Sequence, residues 1–318
     1  MPKLIRIKSI DIDNKIKFFD SIAQAAEFHK CNESSIRKAL DKPNRLCCAR
    51  SWHTVDEHTV SDAKILILDI ETSPLLAHVF NLWKQDIYLD QIVSDWFMLT
   101  WAAKWLGSEV VHSNRLTSEE ALAQNDRRIV KNLWILLDEA DIVVAHYGDR
   151  FDLPKIRSRF LVHGLIPPSS YKQIDTKSIA SKEFGFSSNK LDALAGLLGL
   201  EGKDKTDFLL WKGCMEGREE SLFNMEKYNV KDILVLEEVY LALRPYIKGH
   251  PNLDLYIDSD KSLCPSCGFD TLVPIPGKFF YTQAVRYQLY RCTNCGAISR
   301  AKKGTPYINK KQISAIPR

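Results

Sequence analysis

The sequence predicts an α/β protein whose central domain alternates strands and helices, with a small module at each end. An unbroken aliphatic run at residues 65–68 is typical of a strand that is buried on both faces. Helical periodicity recurs after it and ends in a long amphipathic pattern over Glu219–Leu243. Two close cysteine pairs follow near the C-terminal end. We therefore divide the chain into three domains: residues 1–60, 61–257 and 258–318.

Composition predicts a soluble protein inside the cell. The 318 residues are 45% hydrophobic and 26% charged, as is common in globular proteins. The first residues contain no apolar segment typical of a signal peptide, and no run approaches the roughly 18 apolar residues of a membrane span. We expect a cytoplasmic protein without a membrane partner.

The net charge of +4 is unevenly distributed along the chain. Residues 1–60 carry +3, residues 61–260 carry −8 and residues 261–318 carry +9. An acidic middle between basic ends suits a metal-binding domain flanked by modules that contact a polyanion. The alternative is that the basic ends only aid solubility.

The N-terminal module is predicted to contain a hairpin and two short helices. Ser21 is a candidate N-cap for a helix over residues 22–29, and a second helix runs to Leu40. Two short helices joined by a tight turn indicate a helix-turn-helix. The candidate nucleic-acid contacts are the polar residues of the second helix and of the basic arm after it, namely Ser34, Ser35, Arg37, Lys38, Arg45 and Arg50.

The segment FFDSIAQAAEFHKCNESSIRKALDKPNRLCCARSWHTV resembles the small DNA-binding repeats that are appended to homing endonucleases. The shared pattern is a serine before an Ala-Ala helix, a Ser-x-Ile second helix and a basic tail that ends at an aromatic residue. The resemblance implies that this module binds DNA. A helical cap that makes only protein contacts remains the alternative.

Asp69 and Glu71 follow the aliphatic run and are two residues apart. Residues at this spacing in a strand point to the same face, so their carboxylates would repel each other without a cation between them. Carboxylates are the ligands that Mg²⁺ and Mn²⁺ prefer. Taken alone, the pair is more often a solvated strand end or a helix N-cap than a metal site.

Further acidic residues follow in separate segments of the central domain. A strand over residues 141–145 is followed by His146 and then by Asp152, at the start of a helix. Tyr228 and Asp232 are four residues apart on the long helix, and therefore lie on one face.

Taken in order, LDIET, HYGDRFD and YNVKD resemble the three motifs of the DEDD 3′–5′ exonucleases, in the subgroup with tyrosine. The segment DTKSIASKEFGFSSNKLDALAGLLGLEGK is also similar to phage and bacterial members. The resemblance implies a ribonuclease H-like fold, a mixed sheet with helices on both faces. The second motif departs from the family pattern because His146 stands where asparagine is usual.

The resemblance implies a catalytic set of Asp69, Glu71, Asp152, Tyr228 and Asp232 and two Mg²⁺ or Mn²⁺ ions. Asp69 would bridge both ions, Glu71 and Asp232 would hold the ion that activates water, and Asp152 would serve the ion at the leaving group. Tyr228 would orient the attacking water. The products would be nucleoside 5′-monophosphates released from a 3′ end.

The same residues are also compatible with two other functions. One is a non-catalytic nucleic-acid-binding adaptor on a nuclease-derived fold, and the other is a structure-specific endonuclease. DNA is the expected substrate, RNA is left open, and replication or recombination proteins are the expected partners. The combination of modules suggests a bacterial or phage-infected host.

The C-terminal module contains two CxxCG motifs, formed by Cys264, Cys267, Cys292 and Cys295. Four thiolates at such spacing predict a zinc ribbon with one structural Zn²⁺, whose hairpin strands lie between the pairs. Its partner, nucleic acid or protein, is left open. The other four cysteines show no comparable pattern.

Two further expectations concern the central domain. Residues 118–137 are predicted to form one helix that starts at Ser118. The tryptophans of residues 78–106, namely Trp83, Trp96, Trp101 and Trp105, are expected to belong to the core rather than to a base-stacking surface.

Overall fold

The structure, a computed structural model, describes residues 7–10, 16–19, 21–40, 46–48, 50–54, 63–200, 206–282 and 285–304. The chain forms two compact units, Met1–Val60 and Ser61–Arg318. Arg45, a candidate DNA contact, lies outside the described residues.

The N-terminal unit is an antiparallel three-stranded sheet with two helices. The strand order is β2-β1-β3. Ser21 caps the first helix as predicted, since its Oγ accepts from the amide of Gln24 at 3.1 Å. The core consists of small aliphatic residues from both helices, such as Ala25 and Ile36. The elements are β1 (Ile7–Ile10), β2 (Ile16–Phe19), α1 (Ile22–Phe28), α2 (Glu33–Leu40) and β3 (Ser51–Thr54).

The larger unit is built on a five-stranded mixed sheet of order β10-β9-β4-β7-β8. Strand β4 pairs parallel with β9 and antiparallel with β7, and β9 pairs parallel with β10. The strands are β4 (Ile65–Thr72), β5 (Leu76–Ala77), β6 (Ile92–Ser94), β7 (Met98–Trp105), β8 (Val111–Arg115), β9 (Ile142–Ala145) and β10 (Lys172–Asp175).

Helices cover both faces of this sheet. Alternate residues of β4 enter different cores, because side chains of a strand point to opposite faces. Leu66 and Leu68 pack with α4 and α5, whereas Ile65 and Ile67 pack with α6, α7 and α9. The helices are α3 (Ser118–Leu122), α4 (Arg127–Glu139), α5 (Asp152–Val162), α6 (Thr176–Glu183), α7 (Leu191–Leu197), α8 (Phe208–Met215) and α9 (Glu219–Leu243). The predicted α/β fold class, a mixed sheet flanked by helices, is confirmed.

The helix predicted over residues 118–137 starts at Ser118 as expected, with Thr117 as its N-cap, but the prediction of one continuous helix is wrong. The segment is split into α3 and α4. The break holds Asp126 in the core, where its Oδ2 accepts from the amide of Met98 at 2.8 Å and its Oδ1 lies 2.6 Å from Arg159. A continuous helix would forgo these buried contacts, and a buried charge needs such partners.

The expectation that the tryptophans are core residues holds for Trp101 and fails for Trp83. Trp101 is 4% exposed, whereas Trp83 is 82% exposed. Trp83 lies in the connection between β5 and β6. These two strands pair with each other, so their connection does not cover a face of the large sheet.

The C-terminal part of the larger unit is an antiparallel sheet of order β11-β12-β13. Its strands are β11 (Leu272–Tyr281), β12 (Arg286–Cys292) and β13 (Ile298–Arg300). The carbonyl of Pro265 accepts from the amide of Leu253 at 2.9 Å, which ties the cysteine-containing end to the segment after α9. Within the described residues, no helix has both the length and the apolarity that crossing a membrane requires.

Candidate active site

Strand β4 carries Asp69 and Glu71 at the point where one of its neighbours ends. Its ladder with β9 stops at the pair Ile67 and Val144, whereas its ladder with β7 continues past Glu71. The β9 side of residues 69–71 is therefore open to other elements. Both carboxylates are partly exposed there.

Helix α5 enters this opening with its first residue, Asp152. The Oδ1 of Asp152 accepts from the amide of Ile70 at 3.2 Å. Asp152 is 1% exposed. Burial, and secondarily the charge of Asp175, raise the pKa of Asp152 to about 7, although the bond from the Ile70 amide acts in the opposite direction. This carboxyl therefore changes protonation near neutral pH.

Helix α9 contributes Asp232, which is buried, and Asn229, one turn earlier. The Nδ2 of Asn229 donates to Oδ2 of Asp69 at 2.5 Å. Sequence reasoning missed Asn229. Its spacing of three from Asp232 places both residues on one helix face, and this was the signal that could have identified it.

Asp69, Glu71 and Asp232 form a compact acidic group. Their carboxylate oxygens, one from each residue, all lie within 4.8 Å of one another. Three carboxylates at this distance repel one another strongly in a partly buried site. The oxygen donors and their charge fit a hard divalent cation such as Mg²⁺ or Mn²⁺. Asp152 is not a member of this group, although it reaches the same strand.

Tyr228 lies one turn before Asp232 on α9. It is partly buried and packs against the core cluster that contains Leu66 and Leu68. Tyr228 and Asp232 therefore lie on the same side of α9, as the spacing of four predicted.

His146 and Asp149, in the segment before α5, are not members of the acidic group. The ring nitrogens of His146 contact Thr176 Oγ1 and the carbonyl oxygen of Asn189, each at 3.0 Å. This agrees with a structural role for His146. Asp149 lines a depression with Asp175, and burial together with the charge of Asp175 raises the pKa of Asp149.

An open cleft of about 590 Å³ is lined by residues that adjoin the acidic residues in sequence. Thr72 and Phe151, which line it, are neighbours in sequence of Glu71 and Asp152. The Nζ of Lys155 lies 3.7 Å from the centre of the Trp96 ring, and burial lowers the pKa of this lysine. The cleft also includes Pro74, Leu75, Phe208 and Trp211. It combines aromatic faces with a cation, a pairing that suits stacked nucleotides.

We expect Asp152 to make the stability of the metal-free protein depend on pH. The pKa of this carboxyl rises from 3.8 to about 7 on folding, so the folded state binds the additional proton between those values. The free energy of unfolding therefore falls as the pH rises through this window, by up to about 4 kcal/mol.

Urea unfolding in EDTA at pH 5 and pH 8 measures this effect. Asp152→Asn should remove most of the decrease, whereas Asp192→Asn, which changes an exposed aspartate, should retain it. Equal pH dependence in the wild type and in Asp152→Asn would contradict the expectation.

The four cysteines of the C-terminal module also converge. The Sγ atoms of Cys264 and Cys295 are 3.7 Å apart, and those of Cys267 and Cys292 are 3.6 Å apart. All four sulfurs lie within 4.8 Å of one another. Zn–S bonds of 2.3 Å in a tetrahedron place sulfurs about 3.8 Å apart, so the group is compatible with a zinc ribbon. Gly268 and Gly296, at φ 74° and 81°, permit the predicted turns.

The candidate DNA contacts that the structure describes in the N-terminal unit lie on one helix and one turn. Ser34, Ser35, Arg37 and Lys38 are exposed on α2. Arg37 lies 3.5 Å from Glu33, one turn away. Arg50 is half-buried and pairs through its backbone with Cys47. Their contact with DNA remains a prediction.

Residues 105–244 match the sequence model of the RNase_H superfamily. The matched range contains Asp152, Tyr228 and Asp232 and begins after β4, so Asp69 and Glu71 lie outside it. The match and the mixed sheet with its flanking helices are consistent with a ribonuclease H-like α/β fold for this part of the chain. The match supports a nuclease-type function.

Among solved structures, the chain is similar to the family B DNA polymerase from the hyperthermophilic archaeon Pyrobaculum calidifontis, with 13% sequence identity and a TM-score of 0.41. The similarity covers 76% of this chain and 38% of the polymerase chain. The chain thus spans well under half of the length of that polymerase. No curated protein sequence matches this chain.

Proposed function

We propose that the protein is a metal-dependent 3′–5′ exonuclease that hydrolyses nucleic acid, with DNA as the expected polymer. The observation that supports this most is the convergence of Asp69, Glu71 and Asp232 from a strand and a distant helix. Such a group repels the phosphates of a nucleic acid unless a divalent cation is bound. A site that only binds a polyanion does not require such a group of carboxylates.

The proposed roles are those that the resemblance to the exonuclease motifs implies. Asp69, Glu71 and Asp232 would hold Mg²⁺ or Mn²⁺, and Asp152 would serve a second ion. When bound, these ions would neutralise charge on the scissile phosphate and lower the pKa of a coordinated water. Asn229 holds the Asp69 carboxylate in one orientation through its 2.5 Å hydrogen bond. Tyr228 would orient the attacking water.

The cleft beside the acidic group would receive the 3′-terminal nucleotides. Trp96 and Phe151 offer aromatic faces, and Lys155 lies over both rings, 3.7 Å and 5.2 Å from their centres. Base stacking on such faces is tolerant of sequence. This fits an enzyme that must accept each nucleotide in turn.

The flanking modules would add affinity for the polymer. Arg37 and Lys38 are exposed on α2 and could contact phosphates, as the resemblance of this unit to DNA-binding repeats implies. Residues 261–318 carry a charge of +9, which suits the same partner. DNA as the substrate depends on the N-terminal resemblance, and RNA is therefore included in the test.

Digestion of labelled DNA with Mg²⁺ or Mn²⁺ tests the proposal. Linear strands labelled at the 5′ end should shorten progressively, strands labelled at the 3′ end should release labelled mononucleotide at once, and covalently closed circles should stay intact. Cleavage of circles would favour the structure-specific endonuclease. Binding without cleavage of any DNA or RNA substrate would favour the adaptor.

We expect Tyr228→Phe to lower the rate about 10²-fold, because the variant loses the hydroxyl that orients water but keeps all four carboxylates. Single-turnover digestion measures the rate, and calorimetric Mg²⁺ titration should give an unchanged affinity. Tyr246→Phe, at a tyrosine that is 61% exposed, is the matched control. A wild-type rate in Tyr228→Phe would exclude the tyrosine from the mechanism.

A further inference from the structure

Three cysteines outside the ribbon come together in the N-terminal unit. Cys31, Cys47 and Cys48 have their sulfur atoms within 4.8 Å of one another. The Sγ atoms of Cys47 and Cys48 are 3.7 Å apart, and none of the three cysteines is in a disulfide. A disulfide requires about 2.05 Å, whereas thiolates on one tetrahedral zinc lie about 3.8 Å apart. The ribbon centre shows the same separations, 3.6 and 3.7 Å.

The end of α1 directs Cys31 back toward the core. Lys30 has a φ of 50°, and the amides of Lys30 and Cys31 donate to the carbonyls of Glu27 and Ala26. This is a Schellman motif, in which the residue after the left-handed position folds back against the helix. Cys31 accordingly packs against the small core of the unit.

A tight turn brings the two adjacent cysteines to the same side. Cys47 and Arg50 exchange backbone hydrogen bonds of 3.0 and 3.1 Å, with Cys48 inside the turn. Consecutive side chains of an extended strand point to opposite faces. Cys48 instead has a φ of 55°, a conformation that residues other than glycine adopt at some energetic cost. That conformation is what allows both sulfurs to converge.

A link of this kind would also stabilise the N-terminal unit. Its buried apolar core consists, among the described residues, of Ile22, Ala25, Ala26, Ile36 and Ala39, and three of these are alanines. Units of about 60 residues bury little apolar surface and often rely on disulfides or metals. A cation between Cys31 and the Cys47–Cys48 turn would join the end of α1 to the segment before β3.

We propose that Cys31, Cys47 and Cys48 form a second zinc site, separate from the ribbon. Three thiolates are soft donors that select Zn²⁺ over Mg²⁺ or Mn²⁺. Cys48 is exposed, so the fourth position faces the surface and is open to water or another ligand. Each thiol releases its proton to solvent on binding, and metal uptake is linked to folding of the unit. This inference does not depend on the exonuclease activity.

Titration of the reduced, metal-free full chain with Co²⁺ tests the proposal, because thiolate coordination gives Co²⁺ a charge-transfer absorption. We expect saturation at two equivalents for the wild type and at one for Cys31→Ser, for Cys48→Ser and for the ribbon variant Cys264→Ser. The double variant Cys31→Ser/Cys264→Ser should give no thiolate charge-transfer absorption. Cys214→Ala, at a buried cysteine outside both groups, should still bind two.

Hydrogen exchange gives a second readout that does not depend on counting equivalents. Adding Zn²⁺ to Cys264→Ser should increase protection of α1 (Ile22–Phe28), and the double variant should show no increase. Cys48→Ser changes an exposed position, and it replaces Cys31→Ser in these tests if Cys31→Ser fails to fold. Saturation of the wild type at one equivalent would overturn the proposal, as would two equivalents in both Cys31→Ser and Cys48→Ser.

Discussion

Asp69→Asn is expected to lower the metal-dependent exonuclease rate by about 10³-fold or more while the fold stays intact. The oxygens of Asp69, Glu71 and Asp232 lie within 4.8 Å of one another, so each charge contributes to holding the same cation. An amide keeps the shape and can still accept from Asn229, but it removes one negative charge from the group. Charge placed at a transferring phosphate accounts for several kcal/mol of transition-state stabilisation.

Stability measurements separate this effect from misfolding. Removing one of three like charges should leave the free energy of unfolding in EDTA unchanged or raise it by about 0.5 kcal/mol. Mg²⁺ should raise the melting temperature of the wild type and have little effect on Asp69→Asn. Asp192→Asn, an exposed change, should match the wild type in rate and in Mg²⁺ response. Undiminished digestion by Asp69→Asn would refute the assignment of the active site.

Removal of metal from the ribbon centre is expected to unfold the C-terminal module while the five-stranded sheet survives. Among the described residues, the core of this module consists of Cys264, Cys267, Cys292 and Ala297, with Phe269 and Leu272 packed against it. So little apolar burial cannot maintain three strands by itself. Structural zinc contributes about 10–16 kcal/mol in small zinc modules.

Hydrogen exchange after treatment with a strong chelator measures this loss. Protection of β11 and β12 should fall toward that of an unfolded chain, and protection of β4 should remain. Cys264→Ser should reproduce the result without chelator, whereas Cys214→Ala should not. Full protection of β11 in the metal-free protein would show that the module folds without zinc.

Local sequence patterns were sufficient to predict the elements whose structure depends mainly on residues close to them in the chain. The aliphatic run before Asp69 predicted a strand buried on both faces, because such a run cannot face water on either side. Helical periodicity predicted the bounds of α9, Glu219–Leu243, and the CxxCG motifs predicted the cysteine group. The spacing within α9 also placed Tyr228 and Asp232 on one face.

Long-range contacts decided the features that the sequence did not predict. The break between α3 and α4 depends on Asp126 reaching Met98 and Arg159, and these partners are distant in sequence. The approach of Asn229 to Asp69 depends on how α9 crosses the sheet.

Asp69, Asp152 and Asp232 illustrate both what the sequence determines and what the tertiary structure determines. Their chemistry, three carboxylates that suit a hard cation, is inherent in the sequence. The tertiary structure decided which of them share one site and which is buried, and burial raises the pKa of Asp152 to about 7. The cluster of Cys31, Cys47 and Cys48 has the same origin, because only a helix end and a turn with left-handed residues bring the three sulfurs together. Side-chain types are local properties, whereas distance and desolvation depend on packing between segments far apart in the chain.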